Sequence, residues 1–196
     1  MVAIPSGFSP EEYLALEQQS QIRHEYRHGH VYAMAGGSDD HDEICLNLIE
    51  ILRRQVRELG CEVRSGNVKV NYTKSFYYYP DVFVTCDPRD RQDRYVKRHP
   101  QLIAEVLSPG TEAFDRGDKF QDYQQLSSLS EYLLISQTEI QVEYYCRQPS
   151  QQSWNQTIYR AGDLIQLGNI GLEVAVEELY RGVSWFLLSL ATALHS

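Results

Sequence analysis

The segment QLIAEVLSPGT, residues 101–111, sets one carboxylate, Glu105, among Leu102, Ile103, Ala104, Val106 and Leu107. A short apolar run closed by Ser, Pro and Gly reads as a buried strand. An ionised carboxylate taken out of water without a partner is costly enough to be protonated instead, so another part of the chain must compensate it. The search for that partner organises the rest of the sequence.

With 196 residues, 42% of them hydrophobic, and 14 tyrosines, the chain has enough apolar surface for one core. No repeat, low-complexity tract or long linker divides it, which predicts a single domain over 1–182. The apolar tail VSWFLLSLATALHS, 183–196, is too short to span a bilayer. Its large side chains fall on more than one helical face, so it is expected to dock on the protein or on a second copy in a homo-oligomer, a dimer first of all. The N-terminal MVAIPSGFSPEEY lacks the basic flank and apolar run of a secretory signal. Cys45, Cys61, Cys86 and Cys146 are scattered without a CxxC pair. Both features predict a cytoplasmic protein with free thiols and no membrane association. A net charge of −9 excludes bulk electrostatic coating of nucleic acid, though not a cleft that uses a bound cation.

Ser9 followed by Pro10 and two glutamates predicts a short capped helix. HVYAMAG, closed by Gly36 and Gly37, reads as a strand. Ile44, Leu48, Ile49, Leu52, Val56 and Leu59 recur at helical spacing from about Asp40 to Leu59, with Gly60 as the stop. Strands are expected at 61–71, 77–86, 101–107, 131–136, 139–146, 153–160 and 163–174, with a helix from about Asp115 to Leu126. Helices alternating with groups of strands give a mixed α/β or α+β fold.

The strand YYYPDVFVTC carries a second acid, Asp81, directly before Val82, Phe83 and Val84. If its strand neighbours that of Glu105, the two carboxylates converge and a hard divalent cation between them neutralises both; Mg²⁺ takes one or two carboxylates with water and phosphate. The alternative is that each acid pairs with an arginine or accepts backbone N–H groups. In SPGTEAFDRGDKFQDYQQL, Asp115, Lys119 and Tyr123 recur every four residues on one helical face. Aimed at the acids, the lysine stabilises negative charge developing on a phosphate; aimed at solvent, it is an ordinary ion pair with Asp115.

The order EYRHGHVYAM, a histidine before a long helix, YPDVFVTC, LIAEVLSPGT, DRGDKFQDY and EYLLIS resembles the Uma-type family of putative restriction endonucleases, a branch of the PD-(D/E)XK nuclease superfamily, over about residues 8–182. The resemblance implies a restriction-endonuclease-like core, a mixed sheet flanked by helices. It implies an endonuclease that hydrolyses phosphodiester bonds in nucleic acid, DNA first. Asp81 and Glu105 match the two acidic motifs that bind Mg²⁺ or Mn²⁺, with the Val106 carbonyl a further ligand. The lysine of the superfamily ExK motif is replaced by Leu107, and Lys119 is its match on the next helix. Glu25 takes an acidic position that precedes a glycine and a strand, and with His41, Asp115 and Tyr123 is expected to line the active cleft.

Three other readings stand beside this one. HEYRH, residues 24–28, fits HExxH, which on a helix would make a zinc metallohydrolase. Gly29 and the strand pattern of HVYAM argue against that helix. DPRDRQDRYVKRHP, residues 87–100, joins the two acid-bearing strands and offers Arg89, Arg91, Arg94, Lys97 and Arg98 as phosphate contacts beside the metal; its interspersed aspartates also suit a solvated loop. Finally, the same fold and acids could belong to a catalytically inactive nucleic-acid or protein-binding module.

Overall fold

A computed structural model describes residues 3–4, 7–148 and 153–186. The chain begins with β1 (Ala3–Ile4), α1 (Pro10–Gln19), β2 (His24–Arg27), β3 (His30–Ala33) and α2 (Asp39–Val56). It continues through β4 (Glu62–Ser65), β5 (Lys69–Tyr72), β6 (Phe76–Tyr78), β7 (Val82–Thr85), β8 (Val96–Lys97) and β9 (Pro100–Leu107). Two short helices follow, α3 (Glu112–Arg116) and α4 (Asp118–Tyr123), and then β10 (Glu131–Ser136), β11 (Gln141–Arg147), β12 (Trp154–Arg160), β13 (Leu164–Leu167) and β14 (Leu172–Ala175).

Both main caps follow the sequence. The Ser9 hydroxyl accepts from the Glu12 backbone N–H while the Glu12 carboxylate accepts from the Ser9 backbone N–H, and Pro10 starts α1. Ser38 accepts from the His41 N–H at the start of α2. Along α2, Ile44, Leu48, Leu52 and Val56 recur every four residues and are buried, which fixes the face it lays on the sheet.

The strands form a mixed α+β arrangement. One sheet has the order β1-β3-β2-β6-β5-β8, the other β12-β11-β10-β9-β7-β4, and β13 and β14 make a separate hairpin. In the second sheet β7 runs antiparallel to β9, with Val82 opposite Ala104, while β9 and β10 are parallel. A parallel pair needs a crossover, and α3 and α4 provide it. Side chains alternate across the central strands. Val82, Val84, Ala104 and Val106 join Leu48 and Leu52 in the core beneath α2; Phe83, Ile103 and Leu107 meet Phe120, Tyr123 and Tyr132 on the opposite face. Glu105 belongs by parity to that second face, and Asp81, in the bend ahead of β7, lies against His41 of α2.

Several boundaries differ from expectation. The run 61–71 divides into β4 and β5, which belong to different sheets, and 77–86 divides at Pro80 and Asp81. The run 163–174 is a hairpin that turns through Gly171, whose φ of 64° lies in the left-handed region. The expected helix 115–126 is two helices meeting at Gly117.

The four cysteines are not all free. Cys61 and Cys86 form a disulfide, with their Cα atoms 4.1 Å apart, while Cys45 and Cys146 remain thiols. The reason is register: Glu62 pairs with Thr85, so the next step outward along β4 and β7 brings Cys61 to Cys86. This bridge corrects the expectation of free thiols at Cys61 and Cys86. Among the described residues no helix is long and apolar enough to cross a membrane. The tail's first residues dock on the core: Val183 and Phe186 are buried, Ser184 bonds to Asp40, and the Trp185 indole donates to the Gln137 carbonyl at 2.8 Å. Leu187, Leu188, Leu190 and the rest of 187–196 lie outside the described residues.

Candidate active site

The β7–β9 register makes the site. Asp81, in the bend just ahead of β7, and Glu105 of β9 stand next to the Val82–Ala104 pair. The Asp81 backbone N–H donates to Glu105 Oε2 at 3.1 Å, and the Val106 N–H donates to Asp81 Oδ2 at 2.8 Å. His41, from the first turn of α2, reaches the same Oδ2 with Nε2 at 3.2 Å. Burial works against a charged imidazole there, but the Asp81 carboxylate outweighs it and the His41 pKa is raised.

The partner that Glu105 requires is Lys119. Its ammonium lies 2.9 Å from Glu105 Oε1, 3.3 Å from Glu25 Oε1 and 3.4 Å from Asp115 Oδ1, and all four side chains are almost fully buried. Glu25 Oε1 also accepts from the Tyr79 N–H at 3.0 Å. The Tyr123 hydroxyl donates to Glu105 Oε1 at 3.0 Å. Burial, the largest influence on Lys119, disfavours its charge; the Glu105 and Glu25 carboxylates more than reverse that and hold its pKa well above the usual range. Burial likewise drives the Glu105 pKa well above that of an ordinary carboxyl, against the pull of Lys119 and with the help of the Asp81 and Asp115 charges. Glu25 is raised too, again by burial first.

Clamps hold both short helices around Lys119. Arg27 on β2 donates through Nε to Asp122 and through a terminal nitrogen to Asp118, each at 2.7 Å, and the Tyr78 hydroxyl donates to Asp122. The Tyr132 hydroxyl donates to the Asp115 carbonyl. Between α3 and α4, Gly117 is tightly packed: a Cβ there would stand 3.0 Å from the Ala113 carbonyl oxygen, which would have to give way. Gly117→Ala is therefore expected to cost about 1–3 kcal/mol, the range for overpacking, and to shift Lys119 off Glu105. Urea denaturation and a crystal structure of the variant check both effects.

Thus Asp81, Glu105, Lys119, Glu25, His41 and Asp115 line a cavity of about 180 Å³, while Tyr123, expected to line it as well, is buried behind Glu105. The basic loop does not. Because β7 and β9 are antiparallel, 87–100 joins their ends opposite to Asp81 and Glu105, so the phosphate contacts expected beside the acids lie at the far end of the strands. Arg89 pairs with Asp87, Arg98 with Asp93, Arg91 donates to the Gly60 carbonyl, and Lys97 is buried on the carbonyls of Asp90 and Asp93. Arg94 is exposed. HEYRH is not helical either: His24 starts β2 with its ring against Glu17, and His28 turns the chain at φ 45°. The two histidines lack the helical face that a zinc hydrolase needs.

Two neighbours of the site escaped sequence reasoning. Arg27 was read only within HEYRH, and Cys45, one helical turn after His41, was read only as a free thiol. An i, i+4 scan of α2 would have paired Cys45 with His41.

Comparisons with known proteins agree with this architecture. A crystal structure described as a putative nuclease belonging to DUF820, from Anabaena variabilis, superposes with a TM-score of 0.75 at 15% identity, covering 89% of this chain and 98% of that one; it shares the fold. Two Synechocystis proteins, both called uncharacterized, are relatives. One is 40% identical over 178 residues, 90% of this chain and 93% of its own, the other 32% identical over 148 residues, 74% and 84% respectively. The family profile described as "Uma2: Putative restriction endonuclease" matches residues 10–177. With its acids paired across a mixed sheet of the nuclease type, the chain belongs to the Uma2 family of restriction-endonuclease-like proteins.

Proposed function

We propose that the protein is a Mg²⁺- or Mn²⁺-dependent endonuclease that hydrolyses DNA phosphodiester bonds. The observation that carries this reading is the meeting of Asp81 and Glu105 beside the β7–β9 pair, with Lys119 buried against Glu105. The charge balance fits a divalent ion. Asp81, Glu105, Glu25 and Asp115 face one ammonium, Lys119, and one imidazole, His41. With all four carboxylates ionised and His41 protonated two negative charges are left over, and a divalent ion would offset the burial that raises the Glu105 and Glu25 pKa values; the donors are hard oxygens. Asp81 and Glu105 would hold the ion, with the Val106 carbonyl beside them. The family description supports DNA as the substrate.

Bound there, such an ion would acidify an attacking water and polarise the phosphoryl group. The chain supplies the positioning. His41 and the Val106 N–H both engage Oδ2 of Asp81, which fixes its rotamer and leaves Oδ1 for coordination. Tyr123 and the Asp81 N–H fix the two oxygens of Glu105 in the same way. Lys119, whose ammonium is held protonated by its carboxylates, donates a hydrogen bond to the scissile phosphate or to the attacking water as negative charge develops. Leu107, at the lysine position of the superfamily pattern, is buried with Ile103, Phe120 and Tyr123, and Lys119 on α4 is a cation that reaches Glu105 instead.

A panel of single- and double-stranded DNA and RNA, with Mg²⁺, Mn²⁺ or Zn²⁺, tests the proposal against Asp81→Asn. Metal-dependent cleavage of DNA lost in the variant is the expected result. Absence of cleavage over the whole panel, with binding retained, favours a binding module on the same fold.

A further inference from the structure

The hydrolytic reading leaves one group unused at the edge of the site, the Cys45 thiol. On α2, His41 and Cys45 lie one turn apart, so both side chains leave the same face. The imidazole stands between two others: its Nδ1 is 3.8 Å from Cys45 Sγ and its Nε2 is 3.2 Å from Asp81 Oδ2. One ligand atom from each of His41, Cys45 and Asp81 falls within 4.8 Å of the others. All three line a second cavity, of about 690 Å³, which shares His41 and Asp81 with the one around Lys119.

The donors differ in kind from those around Glu105. A nitrogen, a sulfur and a single carboxylate oxygen suit Zn²⁺, which prefers tetrahedral N and S ligands, and do not suit Mg²⁺, which takes oxygens. Three protein ligands beside an open cavity also leave the fourth position of a tetrahedron to water. We propose that His41, Cys45 and Asp81 form a Zn²⁺ site that withdraws Asp81 from Glu105, so that zinc inhibits the enzyme. Binding replaces the thiol proton of Cys45, which leaves to solvent. A cation there competes for Asp81 and repels a second cation at Glu105, so the two metals exclude one another. The inhibitory half rests on the nuclease reading; the zinc site does not.

Co²⁺ alone, added to the full chain without nucleic acid, tests the site. Thiolate ligation gives a sulfur-to-cobalt charge-transfer band in the near ultraviolet. The band is expected in wild type, Cys146→Ser and Glu105→Gln, to disappear on adding Zn²⁺, and to be absent in Cys45→Ser and Cys45→Ala. His41→Ala, which removes a direct ligand, should weaken Co²⁺ binding by at least the roughly 10–100-fold that loss of an outer-shell partner costs. No band in the wild type, or a band that survives in Cys45→Ser, overturns the site whatever the protein cleaves. Where Mg²⁺-dependent cleavage is measured, Cys45→Ser should retain it and need about 10-fold more Zn²⁺ for half-inhibition, the low end of the effect of disturbing a metal's shell. Equal zinc sensitivity of the two proteins overturns the regulatory role and leaves the spectroscopic site standing.

Discussion

Lys119→Ala is expected to destabilise the metal-free protein by about 3–5 kcal/mol, the scale for removing one partner of a buried ion pair. The magnitude follows from what remains. Glu25, Glu105 and Asp115 share this single ammonium within 3.4 Å, and its loss leaves three buried carboxylates facing one another. Two further measurements show that charge, not lost packing, is the cause. Adding Glu105→Gln to the variant should restore a large part of the stability, because it removes one of the repelling charges. Mg²⁺ should raise the melting temperature of Lys119→Ala more than that of wild type, because the variant carries the larger charge deficit. Equal destabilisation in all backgrounds, with no extra response to Mg²⁺, would show Lys119 to be a packing residue. Turnover per folded molecule should fall by on the order of 10²-fold or more, as for the loss of one electrostatic donor. Leu107→Lys in the same background asks whether a lysine at the superfamily position restores it.

Glu105→Gln alone should separate stability from activity. The amide keeps the shape of the side chain and can still accept from the Tyr123 hydroxyl, while Lys119 retains Glu25 and Asp115. The amide presents its NH2 group to the Asp81 N–H that Oε2 now accepts, so stability should fall by about 1–3 kcal/mol, less than on losing Lys119. Cleavage should drop by on the order of 10²-fold or more, since the carboxylate opposite Asp81 is gone. The Mg²⁺-induced rise in melting temperature should vanish with it. A variant that keeps both the Mg²⁺ response and turnover would remove Glu105 from the metal site.

What the sequence made legible was local. Glu105 and Asp81 stood out because each is a charge at the edge of or inside an apolar run, and no tertiary information is needed to see the anomaly. The α2 face was readable because Ile44, Leu48, Leu52 and Val56 repeat at the helical period. Direction and partner were not legible. The charges of 87–100 are on the page, yet which end of the strands they join depends on the antiparallel pairing of β7 with β9. Cysteine spacing carries no register, so the Cys61–Cys86 bridge could not be read from it. The i, i+4 series Asp115, Lys119, Tyr123 pointed at the right residues through the wrong object, because the face persists across the break at Gly117.

The placement of the cluster has a kinetic consequence. The members of the cluster close loops of different length: Lys119 sits on the crossover directly after β9, Asp81 precedes Glu105 by 24 residues, and Glu25 comes from the start of the other sheet. Loop-closure entropy favours the shortest of these, so the ammonium reaches Glu105 before the second acid does. The β7–β9 pair therefore closes on a carboxylate that is already balanced. Glu25 joins last, when the two sheets meet around Lys119, and that meeting completes the native state.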